Sequence, residues 1–117
     1  MQVERVDFVD VPTRDVPRAI AFYRDVLELP QNPRVETEFE AGNVTLALWR
    51  PEDMGVDFPQ SGAHGIALRV ADVAEARAEL EEKGVEFIGT RDSGVCHMAF
   101  FEDPDGNSLI LHRRYAD

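Results

Sequence analysis

One cysteine, one lysine and no long apolar run are what this chain has least of, and each scarcity removes a class of protein. Cys96 alone cannot close an intrachain disulfide, which excludes a disulfide-stapled secreted domain. No charged-then-apolar leader precedes Val3, so the expected location is the reducing cytoplasm. Charges interrupt every apolar stretch well short of the roughly 20 residues that a membrane-spanning helix needs, so no membrane role is expected. Lys83 is the single lysine among 12 basic residues, and these face 23 acids for a net charge of −11. A field of that sign repels phosphate backbones and anionic lipid, and nucleic acid is excluded as a partner.

What is present is the material of one folded domain. Of 117 residues 44% are hydrophobic and 30% charged, enough for a single core without staples. Arg5 to Val11 carries apolar residues on both parities and few helix formers, which predicts a largely buried strand closed by Pro12. Asp15 then stands as an N-cap with Pro17 in the first turn, and Val16, Ala19, Ile20, Tyr23, Val26 and Leu27 fall at helical spacing. Pro30 and Pro33 break the chain. Arg34 to Glu40 and Val44 to Trp49 read as a hairpin turned by Ala41-Gly42-Asn43. Residues 51–63, aperiodic and rich in proline, glycine and acids, read as a linker.

The second half repeats the order. Gly65 to Val70 reads as a strand. Asp72 and Glu75 have the form of a capping box for a helix that reaches Lys83 and stops at Gly84. Val85 to Ile88, Val95 to Phe101 and Ser108 to Arg113 read as three further strands, with Asp103-Pro104-Asp105-Gly106 as the last turn. One fixed offset carries Asp15 onto Asp72, Val9 onto Ile66, Val11 onto Leu68, Val16 onto Val73 and Tyr23 onto Leu80, which is the mark of an internal repeat. The Gly-Asn turns at 42–43 and 106–107 also correspond, with the register beyond them open by one residue. A proline-rich stub, Pro30 to Pro33, stands where the second half has Val85 to Ile88. The expected organisation is one domain, residues 1–117, with module one over 1–50, a linker over 51–63 and module two over 64–117.

An Asp-capped helix containing Ala21-Phe22-Tyr23-Arg24-Asp25-Val26-Leu27, set between strands, and Asp103-Pro104-Asp105-Gly106-Asn107 before a final apolar strand give the chain its closest likeness. In this order it resembles the vicinal oxygen chelate superfamily, which includes glyoxalase I, extradiol dioxygenases and the fosfomycin and bleomycin resistance proteins. The resemblance spans nearly the whole chain. It implies an α+β fold of two tandem βαβββ modules, sheets curled into an open barrel-like cleft with helices outside and ligand inside, and a homodimer. In metal-using members it further implies a histidine or similar ligand on the first strand of each module and a carboxylate on the last. Those positions here are Phe8, Gly65, Ile110 and Ala47, or Leu46 if the register slips. None of these side chains offers a donor to a divalent ion, so no metal and no cofactor is expected. His64 precedes Gly65 and would reach the ligand position only through a bulge near Gly62 or Gly65, while His112 shares a strand face with Ile110.

With that register, alternation assigns the cleft-facing residues. Phe8 and Asp10, then Thr45, Ala47 and Trp49, then Gly65, Ala67 and Arg69, and finally Ser108, Ile110 and His112 share the ligand side, and His97 is a further candidate. The expected ligand-binding set is Phe8, Asp10, Thr45, Trp49, Arg69, His97, Ile110 and His112. Phe8 and Trp49 offer flat faces for a planar ligand, and Asp10, Arg69 and His112 offer polar edges. Two roles stay open for several of these: Phe8 as plain core, Trp49 as cover for the following loop, and Asp10 and Arg69 as each other's partner. Cys96 and His97 are adjacent on a strand and point to opposite faces, so the pair is no nucleophile and base, and Cys96 reads as packing. Asp103 reads as the shaper of its turn. The function these residues suggest is a metal-independent small-molecule binding protein of the glyoxalase/bleomycin resistance type. The alternative is a metal-dependent lyase, isomerase or dioxygenase with relocated ligands His64, His97 and His112, and a third is an accessory domain.

Overall fold

The computed structural model describes residues 1–59 and 64–117. The chain falls into two compact units, Met1–Pro59 and Gln60–Asp117. In the first, strand β1 (Phe8–Pro12) leads into helix α1 (Val16–Ala21), and strands β2 (Glu38–Glu40) and β3 (Thr45–Trp49) follow. The strand order is β1-β3-β2, with β1 parallel to β3 and β2 antiparallel to it. The second unit holds β4 (Gly65–Arg69), helix α2 (Val73–Glu82), β5 (Phe87–Asp92), β6 (Cys96–Glu102) and β7 (Ser108–Arg114). Its order is β4-β7-β6-β5, with β4 parallel to β7 and the other pairs antiparallel.

Both helices start as their caps predict. The Asp15 carboxylate accepts from the Arg18 amide at 3.2 Å, and that of Asp72 accepts from the Glu75 amide at 2.9 Å, each satisfying an otherwise orphaned donor. Thr13, fully buried, accepts from the Asp15 amide through its hydroxyl at 3.0 Å and so fixes the entry to α1. The expected helix through Leu27 is instead α-helical only to Ala21. Residues Phe22–Val26 form a wider π turn, closed by the Leu27 amide on the Phe22 carbonyl at 3.0 Å. The reason lies in two adjacent rings: Phe22 and Tyr23 are both buried and meet edge to face at 5.3 Å, and Tyr23 continues to Phe39 at 6.0 Å. Glu28, at φ 56, ends the segment.

Elsewhere the strand ends shift for local reasons. β1 begins at Phe8 rather than Arg5 because its neighbour in the sheet, β3, offers pairing from Phe8↔Thr45 to Pro12↔Trp49. Asn32 accepts from the amides of Arg34 and Val35 at 2.8 and 3.1 Å, and this turn consumes the first residues of the expected 34–40 strand. The Val85 amide is taken by the Leu80 carbonyl at 3.0 Å as α2 ends, which delays β5 to Phe87. The expected βαβββ order therefore fails in the first unit, which is βαββ. Where the second unit has β5 beside β6, the first has a single bridge, Gln31↔Phe39, between Pro30 and Pro33. Proline lacks the amide that a ladder needs, so the strand stops at one residue.

Each unit packs one sheet face under its helix. Val11, Ala19, Ile20, Tyr23, Phe39, Leu46 and Leu48 are buried in the first. Val73, Leu80, Ala99, Phe101, Leu109 and Leu111 are buried in the second. The alternate residues of these strands make up the opposite faces, where the candidate site residues other than His97 lie.

Candidate functional site

In the first unit the open face is built from all three strands. The β1–β3 register sets Phe8 beside Thr45 and Asp10 beside Ala47, and the β2–β3 register sets Glu40 beside Thr45 and Glu38 beside Ala47. Residues directly paired share a face, so Phe8, Asp10, Glu38, Glu40, Thr45 and Trp49 are brought together. Phe8 is 52% exposed and Asp10 exposed, which removes the plain-core role for Phe8 within this unit. Thr45 is buried, and its hydroxyl donates to the Glu40 carboxylate at 2.9 and 3.0 Å. Trp49 is half-buried, and its indole nitrogen is enclosed without an acceptor among the described residues. A buried indole N–H without a partner costs free energy, so this donor is matched only if something supplies an oxygen or nitrogen. Glu38 and Glu40 escaped the sequence reading, although their flanking of Phe39 in a period of two carried the signal.

In the second unit the β4–β7 and β6–β7 registers set Ala67 and Phe100 beside Ile110, and Arg69 and Met98 beside His112. Arg69 is exposed, while Ile110, His112, Met98 and Phe100 are half-buried. Arg91 pairs with Met98 and extends the same face on β5. This face is apolar at its centre and basic at its margin, and Met98 and Phe100 were not singled out from sequence.

His97 does not join it. His97 pairs with Arg113 and shares its parity with buried Ala99 and Phe101, so it stands on the helix side of the sheet. There its ring stacks on Tyr115 at 4.3 Å and its Nε2 lies 3.5 Å from the Asp92 carboxylate. The Tyr115 hydroxyl donates to Asp92 at 2.6 Å and the Gly94 amide at 2.8 Å. These donors, Tyr115 foremost, then Gly94, with His97 adding its charge, hold the Asp92 carboxyl below its ordinary range. The same bond pushes the Tyr115 phenol up. Cys96 is buried and Asp103 shapes its turn, accepting from the amides of Asp105 and Asn107, both at 2.9 Å.

The chemistry of metal-using relatives finds no donors at the corresponding places. The registers settle the open choice in the first unit, because Ala47 stands to Asp10 as Ile110 stands to Ala67. Phe8, Ala47, Gly65 and Ile110 carry neither nitrogen nor oxygen in their side chains, and the last two are engaged with each other. A Cβ on Gly65 would lie 3.2 Å from Ile110 Cδ1, so the isoleucine covers the space that a ligand side chain would fill. The β4–β7 ladder runs unbroken from Gly65↔Ser108, leaving no bulge at Gly65 to turn exposed His64 inward. Gly62, the other expected bulge, lies outside the described residues. His97 and His112 project from opposite faces and cannot share an ion. Among the described residues no three of His, Cys, Asp and Glu converge as metal ligands do.

An α+β protein of two sheets, each with one face under a helix, is the class that this geometry defines. The sequence profile of the Glyoxalase/Bleomycin resistance protein/Dioxygenase superfamily matches residues 5–111, and the chain belongs to that superfamily. Solved structures share the fold at low identity. A glyoxalase family protein of Bacillus anthracis is 19% identical with a TM-score of 0.79, covering 98% of each chain. A glyoxalase/bleomycin resistance protein/dioxygenase of Nocardioides is 21% identical with a TM-score of 0.78, covering 97% of this chain and 85% of that one. Lactoylglutathione lyase of Agrobacterium tumefaciens is 20% identical with a TM-score of 0.73, covering 95% and 94%. Nothing among the curated proteins matches the chain.

Proposed function

We propose that this superfamily member is a metal-independent small-molecule binding protein, holding a planar or partly apolar ligand through residues on the open faces of its sheets. On the first sheet Phe8 and Trp49 offer flat faces for stacking and Asp10 and Thr45 polar contacts; on the second Arg69 and His112 offer a polar edge and Ile110 an apolar floor. The observation that carries the reading is Ile110 lying across Gly65, where a metal-using relative would place a ligand. The indole nitrogen of Trp49, without an acceptor among the described residues, adds to it, since it asks for one that a bound molecule would bring. A cytoplasmic homodimer belongs to the same reading, and buried Cys96 suits a reducing compartment.

The test is elemental analysis and calorimetry of untagged protein with Ni²⁺, Zn²⁺, Mn²⁺ and Fe²⁺, followed by a thermal-shift screen of planar compounds. Trp49 is the only tryptophan, so its fluorescence reports on the site directly. No stoichiometric metal, together with saturable quenching by a planar compound that Phe8→Ala weakens, is the expected result. Stoichiometric metal lost on replacing His64, His97 or His112 would overturn the reading in favour of a relocated chelating site.

A further inference from the structure

Four arginines are tied to acids: Arg5 to Asp7, Arg24 to Asp25, Arg50 to Asp53 and Arg77 to Glu81 lie within ion-pair distance. Arg69, Arg113 and Arg114 behave differently. No described residue forms an ion pair or side-chain hydrogen bond with any of them, in a chain of net charge −11. All three line one concavity of about 250 Å³ at the end of the second sheet, together with Tyr115, Ala116 and Asp117. The parallel register sets Arg69, the last residue of β4, opposite His112, so both strands run out at the same level. Successive residues of a strand point to opposite faces, but β7 ends at Arg114, and the concavity at its end takes both Arg113 and Arg114.

The wall of the concavity is fixed in advance. The Tyr115 amide donates to the Val95 carbonyl at 2.9 Å, its hydroxyl to Asp92, and its ring stacks on His97. Asp117, the one acid there, comes within ion-pair distance of none of the three guanidinium groups. Like charges held close in a concave, preset wall repel one another unless an opposite charge sits among them. A guanidinium satisfies its donors best with the paired oxygens of a phosphate or carboxylate.

From this we infer that the concavity is an anion site for a compact, multiply charged oxyanion of the phosphoryl type. It goes beyond the planar-ligand reading, with which it shares only Arg69. Amide chemical shifts followed during titration with inorganic phosphate, at constant ionic strength, test it. Saturable shifts centred on Arg69 and residues 113–116 are expected, and an Arg113→Gln, Arg114→Gln double variant should bind roughly tenfold or more weakly. Arg91→Gln, which removes the same charge from β5, should leave the affinity unchanged. If the double variant loses its core shifts at Leu109 and Phe101, Arg114→Gln alone serves instead. The inference is overturned by non-saturating shifts, by equal shifts with chloride, or by an equal loss in Arg91→Gln, which would reduce the effect to a diffuse field. Trp49 fluorescence does not enter this readout, so the planar-ligand reading and the anion site can fail separately.

Discussion

The two sheets share a backbone plan and differ in what their open faces carry. In each, the first strand runs parallel to the last with the same stagger, Phe8↔Thr45 in one and Gly65↔Ser108 in the other. On the first sheet that register gathers Asp10, Glu38 and Glu40 around Phe8 and Trp49. On the second it gathers Arg69, Arg91 and His112 around Ile110, Met98 and Phe100. The helix-facing residues stay apolar in both because each must bury its sheet, whereas the open faces carry no such requirement. The comparison teaches that burial holds a repeated module to its pattern only on the covered side.

The comparison can be broken first in the cores. Phe39 is fully buried and carries both the Tyr23 contact and the one-residue bridge to Gln31, so Phe39→Ala should cost about 3–5 kcal/mol by denaturant titration. Phe101→Ala should cost a similar amount, with the difference that β6 is held on both sides. Hydrogen exchange then sharpens the contrast. Amides of the three-stranded sheet should exchange faster than those of β6 and β7 in both variants, and the reverse order would refute the structural asymmetry.

The turns come next. Asp103 is buried and accepts from two amides and the Asn107 side chain, so Asp103→Ala should cost about 1–3 kcal/mol. Asn43, which corresponds to Asn107 in the matching turn of the first unit, is exposed, and its turn is closed by the Ala41 amide on the Val44 carbonyl. Asn43→Ala should therefore fall within about 0.5 kcal/mol of the parent in the same titration. A smaller step separates the first strands. Gly65→His should destabilise by about 1 kcal/mol through overpacking against Ile110, and an added Ile110→Ala should relieve the clash, whereas Phe8→His on an exposed site should be nearly neutral.

The smallest effect is one of pH. Asp92 is held below its ordinary range, so its contribution is present above the unfolded-state value and is lost as pH falls through the folded one. Tyr115 is pushed up, so its contribution is present at low and neutral pH and is lost as pH rises through its raised value. Both groups are solvent-exposed, and screening keeps each effect small. Tyr115→Phe should remove the alkaline slope and reduce the acid one in a thermal melt taken across pH, the remainder being held by the Gly94 amide and His97.

The fold was legible where hydrophobic periodicity and capping agree. Asp15, Asp72, Gly84 and the 103–107 turn mark their elements correctly because their signals are local. The lost strand in the first unit was visible as Pro30 and Pro33, yet its surviving bridge depends on Phe39, which no local signal connects to Gln31. The π turn was illegible because α and π segments share an apolar stripe, and only the need to bury Phe22 and Tyr23 together separates them. For the open faces, parity named Phe8, Asp10, Thr45, Trp49, Arg69, Ile110 and His112, but it also needs a partner strand. His97 was admitted to the set because the face of β6 is fixed by pairing with β7, which no residue of β6 announces.

Ile110 resting on Gly65 also bears on how such a protein changes over generations. A histidine arriving at position 65 meets the isoleucine, and an isoleucine trimmed first leaves a void over a glycine. Each residue thus makes the other's replacement unfavourable. A descendant that acquires a nitrogen donor at position 65 must change both positions and carries a weaker intermediate whichever changes first. This small packing contact therefore works as a latch on the lineage, holding the head of β4 at glycine by a step that selection for stability opposes.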